Sequence, residues 1–240
     1  MEKYFIAFPL SNNSQALTTT TYLGNMAYQV DDGKDVKKHR LLLAELLHIP
    51  YERFTFVHQT HSDRILEVTV KDLGKGVNAF EEGLESDALY TKEKEAPLCI
   101  FHADCVPIFF VCEKIPLVGI IHAGFKGTMK HITYKVIKEV MEKEGLTPLD
   151  FQFYIGPYRS LASFPIDEMT KQEIKAANLL DAIKGDHFDN GLANRLDLYK
   201  LGILDSQIQD DGLDTLRDDV FYSAYQKTPA GRMVSLIYLK

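Results

Sequence analysis

At 240 residues, with 45% hydrophobic and 25% charged side chains, the chain has the makeup of a soluble globular protein and the length for one sizeable core, which we read as a single domain spanning 1–240. A formal net charge of −7 excludes a general electrostatic grip on nucleic acid or anionic lipid, and no apolar run nears the roughly 18 to 20 residues of a membrane span. The expected partner is a small molecule, with no nucleic acid and no membrane; Met1-Glu2-Lys3-Tyr4-Phe5 lacks a leader-peptide core, so a cytoplasmic monomer or homodimer is expected.

Taken in chain order, apolar residues at helical spacing predict a helix over 35–47, ended by Ile49-Pro50. Aromatic and β-branched residues predict a strand over 54–58. The stretches 98–101, 108–111 and 117–121 are near-continuous apolar runs bounded by Pro, Gly or Asp, the pattern of central strands buried on both faces. A helix is expected over 129–144, a strand over 151–155 stopped by Gly156-Pro157, and a helix over 167–183. A further helical stretch over 197–204 and a closing strand over 232–239 complete a layered α/β fold. Cys99, Cys105 and Cys112 cannot all pair and form no Cys-x-x-Cys unit, so they read as reduced thiols.

The chemistry concentrates in three segments beside strand ends: His58-Gln59-Thr60-His61-Ser62, His102-Ala103-Asp104-Cys105-Val106-Pro107 and His122-Ala123-Gly124-Phe125-Lys126-Gly127. Histidines with one cysteine are the donors a borderline-soft ion such as zinc prefers, and three protein ligands leave a fourth position open. His58 and His61 are three apart, which on a strand points them to opposite faces, so at most one is a ligand and His61, further into the loop, is the better candidate. His58 is left to bind substrate or hold the loop. Cys105, after Asp104, and His122, closing its run, complete the trio. Lys126 follows Gly124 at an expected helix N-terminus and is a candidate anion binder; Arg40, beside Lys37 and Lys38, is a second. There is no Walker phosphate loop, dinucleotide fingerprint, nucleophile elbow or His-Glu-x-x-His helix.

These segments resemble the YfiH/YlmD family, also called the laccase-domain or polyphenol-oxidase-like family, whose motifs run His-Gln-Val-His-Gly, Thr-Ala-Asp-Cys-x-Pro and His-Ala-Gly-Trp-Arg-Gly. The likeness continues through Gly24-Asn25 to Arg40, Ser86-Asp87-Ala88-Leu89-Tyr90-Thr91, Ile155-Gly156-Pro157, Ala193-Asn194-Arg195, Phe221-Tyr222-Ser223 and Gly231-Arg232-Met233. It implies an α/β sandwich with a mixed central sheet and flanking helices, and a zinc held by His61, Cys105 and His122. It also implies a purine nucleoside phosphorylase acting on adenosine, inosine or methylthioadenosine with phosphate, with adenosine deaminase activity. On that basis Lys126 and Arg40 would hold the anion, and His58 or Asp104 would handle protons, with Lys126 counted among the catalytic groups. Phe125-Lys126 stands where the family has Trp-Arg, and 158–165 departs from its pattern. The alternatives are a copper-dependent phenol oxidase and a metal-binding paralogue without activity. Eight histidines and no His-x-His pair fall short of the about ten or more that a multicopper centre needs.

Overall fold

The computed structural model describes residues 3–30, 33–226 and 230–240. Met1 and Glu2, used above for the leader, and Asp31 and Asp32, inside the 24–40 resemblance, lie outside the described residues.

Two six-stranded sheets stack face to face. The first runs β1 (Phe5–Phe8), β2 (Ser14–Thr19), β14 (Met233–Leu239), β7 (Leu98–His102), β3 (Thr55–His58) and β5 (Leu84–Glu85). The second runs β13 (Ile208–Asp210), β10 (Phe151–Ile155), β8 (Val106–Cys112), β9 (Leu117–Ala123), β6 (Ala88–Thr91) and β4 (Ile65–Val68). Both are mixed: β7 pairs in parallel with β3 and antiparallel with β14, while β10 pairs in parallel with β13 and antiparallel with β8. A small pair, β11 (Ile183–Lys184) and β12 (His187–Phe188), stands apart.

The apolar runs are strands covered on both sides. Along β8, Val106, Ile108, Phe110 and Cys112 pack with Val136, Ile137 and Val140 of helix α3 (Ile132–Glu144) and Leu198 of α5 (Asn190–Lys200). The alternate residues Phe109 and Val111 meet Leu98, Ile100 and Ile237 of the other sheet. The far face of the first sheet, with Leu17, Phe56, Cys99 and Phe101, is closed by Leu43 and Ala44 of α1 (Val36–Leu47). The result is an α/β/β/α sandwich with two mixed sheets where the sequence suggested one. Alternation reports that both strand faces are dry, and cannot distinguish a covering helix from a covering sheet.

Three helices differ from expectation. The helix over 129–144 is two pieces, α2 (Phe125–Met129) and α3, because His131 turns left-handed at φ 58, its ring held by Asp197 and the Ala177 carbonyl. The helix over 167–183 is only α4 (Glu168–Ala176): the Asp167 side chain caps its start, and Asn178 at φ 57 prevents continuation. The reading over 197–204 caught the last turn of α5, which begins after the Asp189 cap. What positions the site is a sheet switch: Ala103-Asp104-Cys105 carries the chain from β7 in one sheet to β8 in the other.

Candidate metal centre and cavity

That crossover, the loop after β3 and the end of β9 meet at one end of the inter-sheet layer. His122 lies within β9, paired opposite Pro107, and by alternation shares the inward face of Val118 and Ile120. His61 lies in the loop after β3 at φ 54, a left-handed residue that swings its ring back over the crossover. One donor atom from each of His61, Cys105 and His122 lies within 4.8 Å of the others. Gly124 makes the approach possible, since a Cβ there would sit 2.9 Å from His61 Cδ2 and 3.1 Å from Cys105 Sγ.

A buried carboxylate organises the trio. Asp87, in the turn before β6, accepts from His122 Nδ1 at 2.9 Å and from the backbone N–H groups of Thr60, His61 and Ser62 at 3.3, 3.2 and 2.6 Å, plus the Ser62 hydroxyl at 2.8 Å. Burial by itself would raise its pKa; the bonds from His122 and Ser62 bring it below the ordinary carboxylate range. The bond to Nδ1 leaves His122 Nε2 free for the other donors, the carboxylate–histidine arrangement that orients metal ligands. Burial opposes ionisation of Cys105 as well, yet the charge of His122 and hydrogen bonds from His122 and His61 bring the thiol down to about 6. In return the Cys105 and Asp87 charges overcome burial and lift His122 to about 9. One thiolate and two imidazoles, one of them locked by a carboxylate, fit a borderline-soft divalent ion. Of the described residues, this is the one group of three or more His, Cys, Asp or Glu side chains so gathered.

The trio forms part of the wall of a cavity of about 480 Å³, with Phe80, Phe101, Phe125 and Phe164 as apolar lining and Arg159 and Arg232 as cations. The remaining sequence candidates are placed differently. Lys126 is exposed on α2 and does not line the cavity. Arg40 is 1% exposed and lies outside the lining: it donates to the carbonyls of Met26, Gly76 and Val77 and packs 4.0 Å from the Phe56 ring centroid. Neither side chain faces this cavity: the lysine stands in water, and the arginine is held in the core by Nε and Nη1 on backbone carbonyls, with Nη2 sealed in without a partner among the described residues.

His58 packs against Phe80, behind the lining, and does not reach the cavity. Asp104 lines it, but its oxygens accept from Thr215 and Ser223 hydroxyls and the Ala224 N–H at 2.9, 2.7 and 2.8 Å. It braces the 223–225 loop over the cavity instead of facing a proton to be moved. His102, also in the lining, is 2% exposed and bonded through Nε2 to Ser235 at 2.7 Å; burial, helped by the charge of His122, lowers it to about 3, so it is neutral. The residues that sequence reasoning missed are Asp87, Arg159 and Arg232. Ser86-Asp87 between two strand-like stretches was the available signal for the first.

Residues 14–240 match the family model described as multi-copper polyphenol oxidoreductase laccase. A Bacillus subtilis protein named purine nucleoside phosphorylase YlmD is 33% identical over 88% of this chain and 79% of its own length. A purine nucleoside phosphorylase of Staphylococcus saprophyticus is 31% identical over 89% and 84%. Among solved structures, the Bacillus licheniformis hypothetical protein YfiH superposes with a TM-score of 0.91 at 30% identity, covering 99% of this chain and 97% of that one. YlmD from Geobacillus stearothermophilus gives 0.88 at 29%, covering 97% and 94%.

Proposed function

Because the chain belongs to the multi-copper polyphenol oxidoreductase laccase family, and its relatives are named purine nucleoside phosphorylases, we propose that it is a zinc-dependent purine nucleoside phosphorylase with adenosine deaminase activity, working in the cytoplasm. The observation that carries the reading is the His61-Cys105-His122 group, open on its cavity side and backed by Asp87. A cavity of about 480 Å³ suits a nucleoside, since small-molecule sites run roughly 300–1,000 Å³ and are mostly apolar with a few polar groups.

In phosphorolysis a phosphate oxygen bonds to the ribose anomeric carbon as the bond to the purine nitrogen breaks, so the site must hold an anion beside a planar base. Phe80, Phe101, Phe125 and Phe164 offer the base apolar walls. Arg159 and Arg232 are the cavity's cations, in place of Lys126 and Arg40. By accepting from His122 Nδ1, Asp87 turns Nε2 toward Cys105 and His61, where a metal would displace its proton, and Asp104 holds the covering loop. A zinc ion bound by the trio would supply Lewis-acid polarisation. Multicopper oxidation of phenols draws no support from ligand supply, because the described residues offer donors for one ion.

The test is zinc content of protein purified without added metal, with purine products separated after adenosine is supplied with and without phosphate. Near-stoichiometric zinc, adenine only with phosphate, and inosine without it are expected, all lost in Cys105→Ala. Zinc without any product would overturn the enzymatic reading, and activity that follows copper and not zinc would favour oxidation.

A further inference from the structure

Arg159 is the feature of the cavity that the metal group does not explain. It follows Gly156-Pro157 at the end of β10, with its backbone N–H bonded to the Asp104 carbonyl at 3.0 Å. The residue is only 6% exposed, yet among the described residues it forms no ion pair. Among the described residues its one side-chain hydrogen bond runs from Nε to the Ser163 carbonyl at 2.6 Å. The Tyr225 ring lies 3.6 Å from its Cζ and the Phe164 ring 4.6 Å. Asp104, the carboxylate of the lining, has its oxygens occupied by Thr215, Ser223 and Ala224.

A guanidinium withdrawn from water with no counter-charge is unfavourable unless a partner arrives. Two rings lie against the guanidinium, and its Nη atoms, unlike Nη2 of Arg40, are not sealed in without a partner: Arg159 lines the cavity. Two parallel N–H groups on a rigid plane match two oxygens of a phosphoryl group. We propose that Arg159 is the oxyanion receptor of this cavity, gripping a phosphoryl group through its Nη edge, with Tyr225 as the exposed cover that holds the guanidinium plane in place. The proposal deepens the phosphorylase reading and rests on it for the choice of ligand, which is either free phosphate or the phosphoryl group of a nucleoside monophosphate.

Calorimetric titration of the zinc-loaded full chain with inorganic phosphate, adenosine and adenosine monophosphate tests it, with zinc content and Tm measured on each variant. Arg159→Gln is expected to weaken oxyanion binding about ten- to a hundredfold, the worth of a charge-assisted hydrogen bond or two, with adenosine binding unchanged. Arg159→Lys, which keeps the charge and loses the fork, should fall between. Tyr225→Ala, which leaves the hydrogen-bonding edge intact and keeps the test open should Arg159→Gln misfold, should weaken it about two- to fivefold. A loss for free phosphate assigns the receptor to the co-substrate; a loss confined to the monophosphate assigns it to the substrate's own phosphoryl group. Wild-type protein that binds neither oxyanion, or folded variants that bind both as tightly as wild type, would overturn the proposal. Nucleoside turnover is read separately, so a failed phosphorylase assay with Arg159-dependent phosphate binding would refute only the function.

Discussion

Asp87→Asn is the substitution most diagnostic of how the centre is built. The carboxylate splits its five bonds: Oδ1 takes His61 N–H and His122 Nδ1, while Oδ2 takes Thr60 N–H, Ser62 N–H and the Ser62 hydroxyl. An asparagine has one acceptor, so one side must lose. With its oxygen on the Oδ2 side, its NH₂ faces His122, whose Nδ1 must then accept, moving the ring proton to Nε2 where a metal would bind. With its oxygen on the Oδ1 side, two backbone N–H groups, of exposed Thr60 and half-buried Ser62, meet a donor; water can satisfy the first, so the cost is about 1–3 kcal/mol, that of one unsatisfied group. Either way zinc affinity is expected to fall about ten- to a hundredfold or more, the usual penalty for losing a ligand-orienting carboxylate. If the second orientation prevails, the metal-free Tm falls by at least about 2 °C. The pH dependence follows the lowered pKa of Asp87: its contribution is present above the ordinary carboxylate value near 3.9 and is lost as pH falls through the depressed folded value, so the variant should lack that acid-side loss. Zinc titration against a competing chelator and thermal melts from pH 3 to about pH 7 measure both. A variant with wild-type zinc affinity and wild-type acid profile would refute the claim that Asp87 sets the His122 tautomer.

The metal-free protein should carry a thiolate–imidazolium pair between about pH 6 and about pH 9. Cys105, depressed, stabilises the fold above the ordinary thiol value near 8.5 and loses that contribution as pH falls through about 6; His122, raised, contributes below about 6.5 and loses it as pH rises through about 9. Thiolate ultraviolet absorbance that appears only above about pH 8.5, or persists in Cys105→Ala, would sink this. Gly124→Ala should keep the fold, since φ there is an ordinary −71, but push apart His61 and Cys105 and weaken zinc at least about tenfold, the scale on which disturbed ligand geometry is felt. Full zinc loading at unchanged affinity would contradict it. Lys126→Ala should leave the KM for phosphate unchanged, whereas Arg40→Ala should cost about 2–5 kcal/mol by melting, from an emptied core site and the orphaned carbonyls of Met26 and Gly76. A large KM effect at Lys126, or a neutral Arg40→Ala, would reverse their assignments.

The strands were legible where burial on both faces wrote long apolar runs, as at 98–101, 108–111 and 117–121. They were not in the two-residue strands β5, β11 and β12, too short to write an alternation, and the pairing of β5 is fixed by a distant partner, β3. The break at His131 was hidden for the same reason, since Asp197 lies 66 residues away. His61, Cys105 and His122 stood out because their side chains are rare and sit beside bends, whereas the role of Asp87 exists only once β6 lies against β9.

The cations show most clearly which part of the miss was avoidable. Within α1 the buried residues are Val36, Arg40, Leu43 and Ala44, at spacings of four, seven and eight, so Arg40 occupies the apolar stripe and not the charged face shared by Lys37 and Lys38. A charge on the buried stripe of an amphipathic helix has to find fixed acceptors, and those of Arg40 are backbone carbonyls on Nε and Nη1, which hold the side chain in the core. Arg159 carries the opposite logic: it follows a Gly-Pro stop at the end of β10, outside any periodic pattern, and its aromatic neighbours come from residues 5 and 66 positions on. Helical periodicity could therefore have placed Arg40 on the buried stripe, but no local pattern could have placed Arg159 at the cavity. Its place there depends on the two rings, of Phe164 and Tyr225, that lie against the guanidinium.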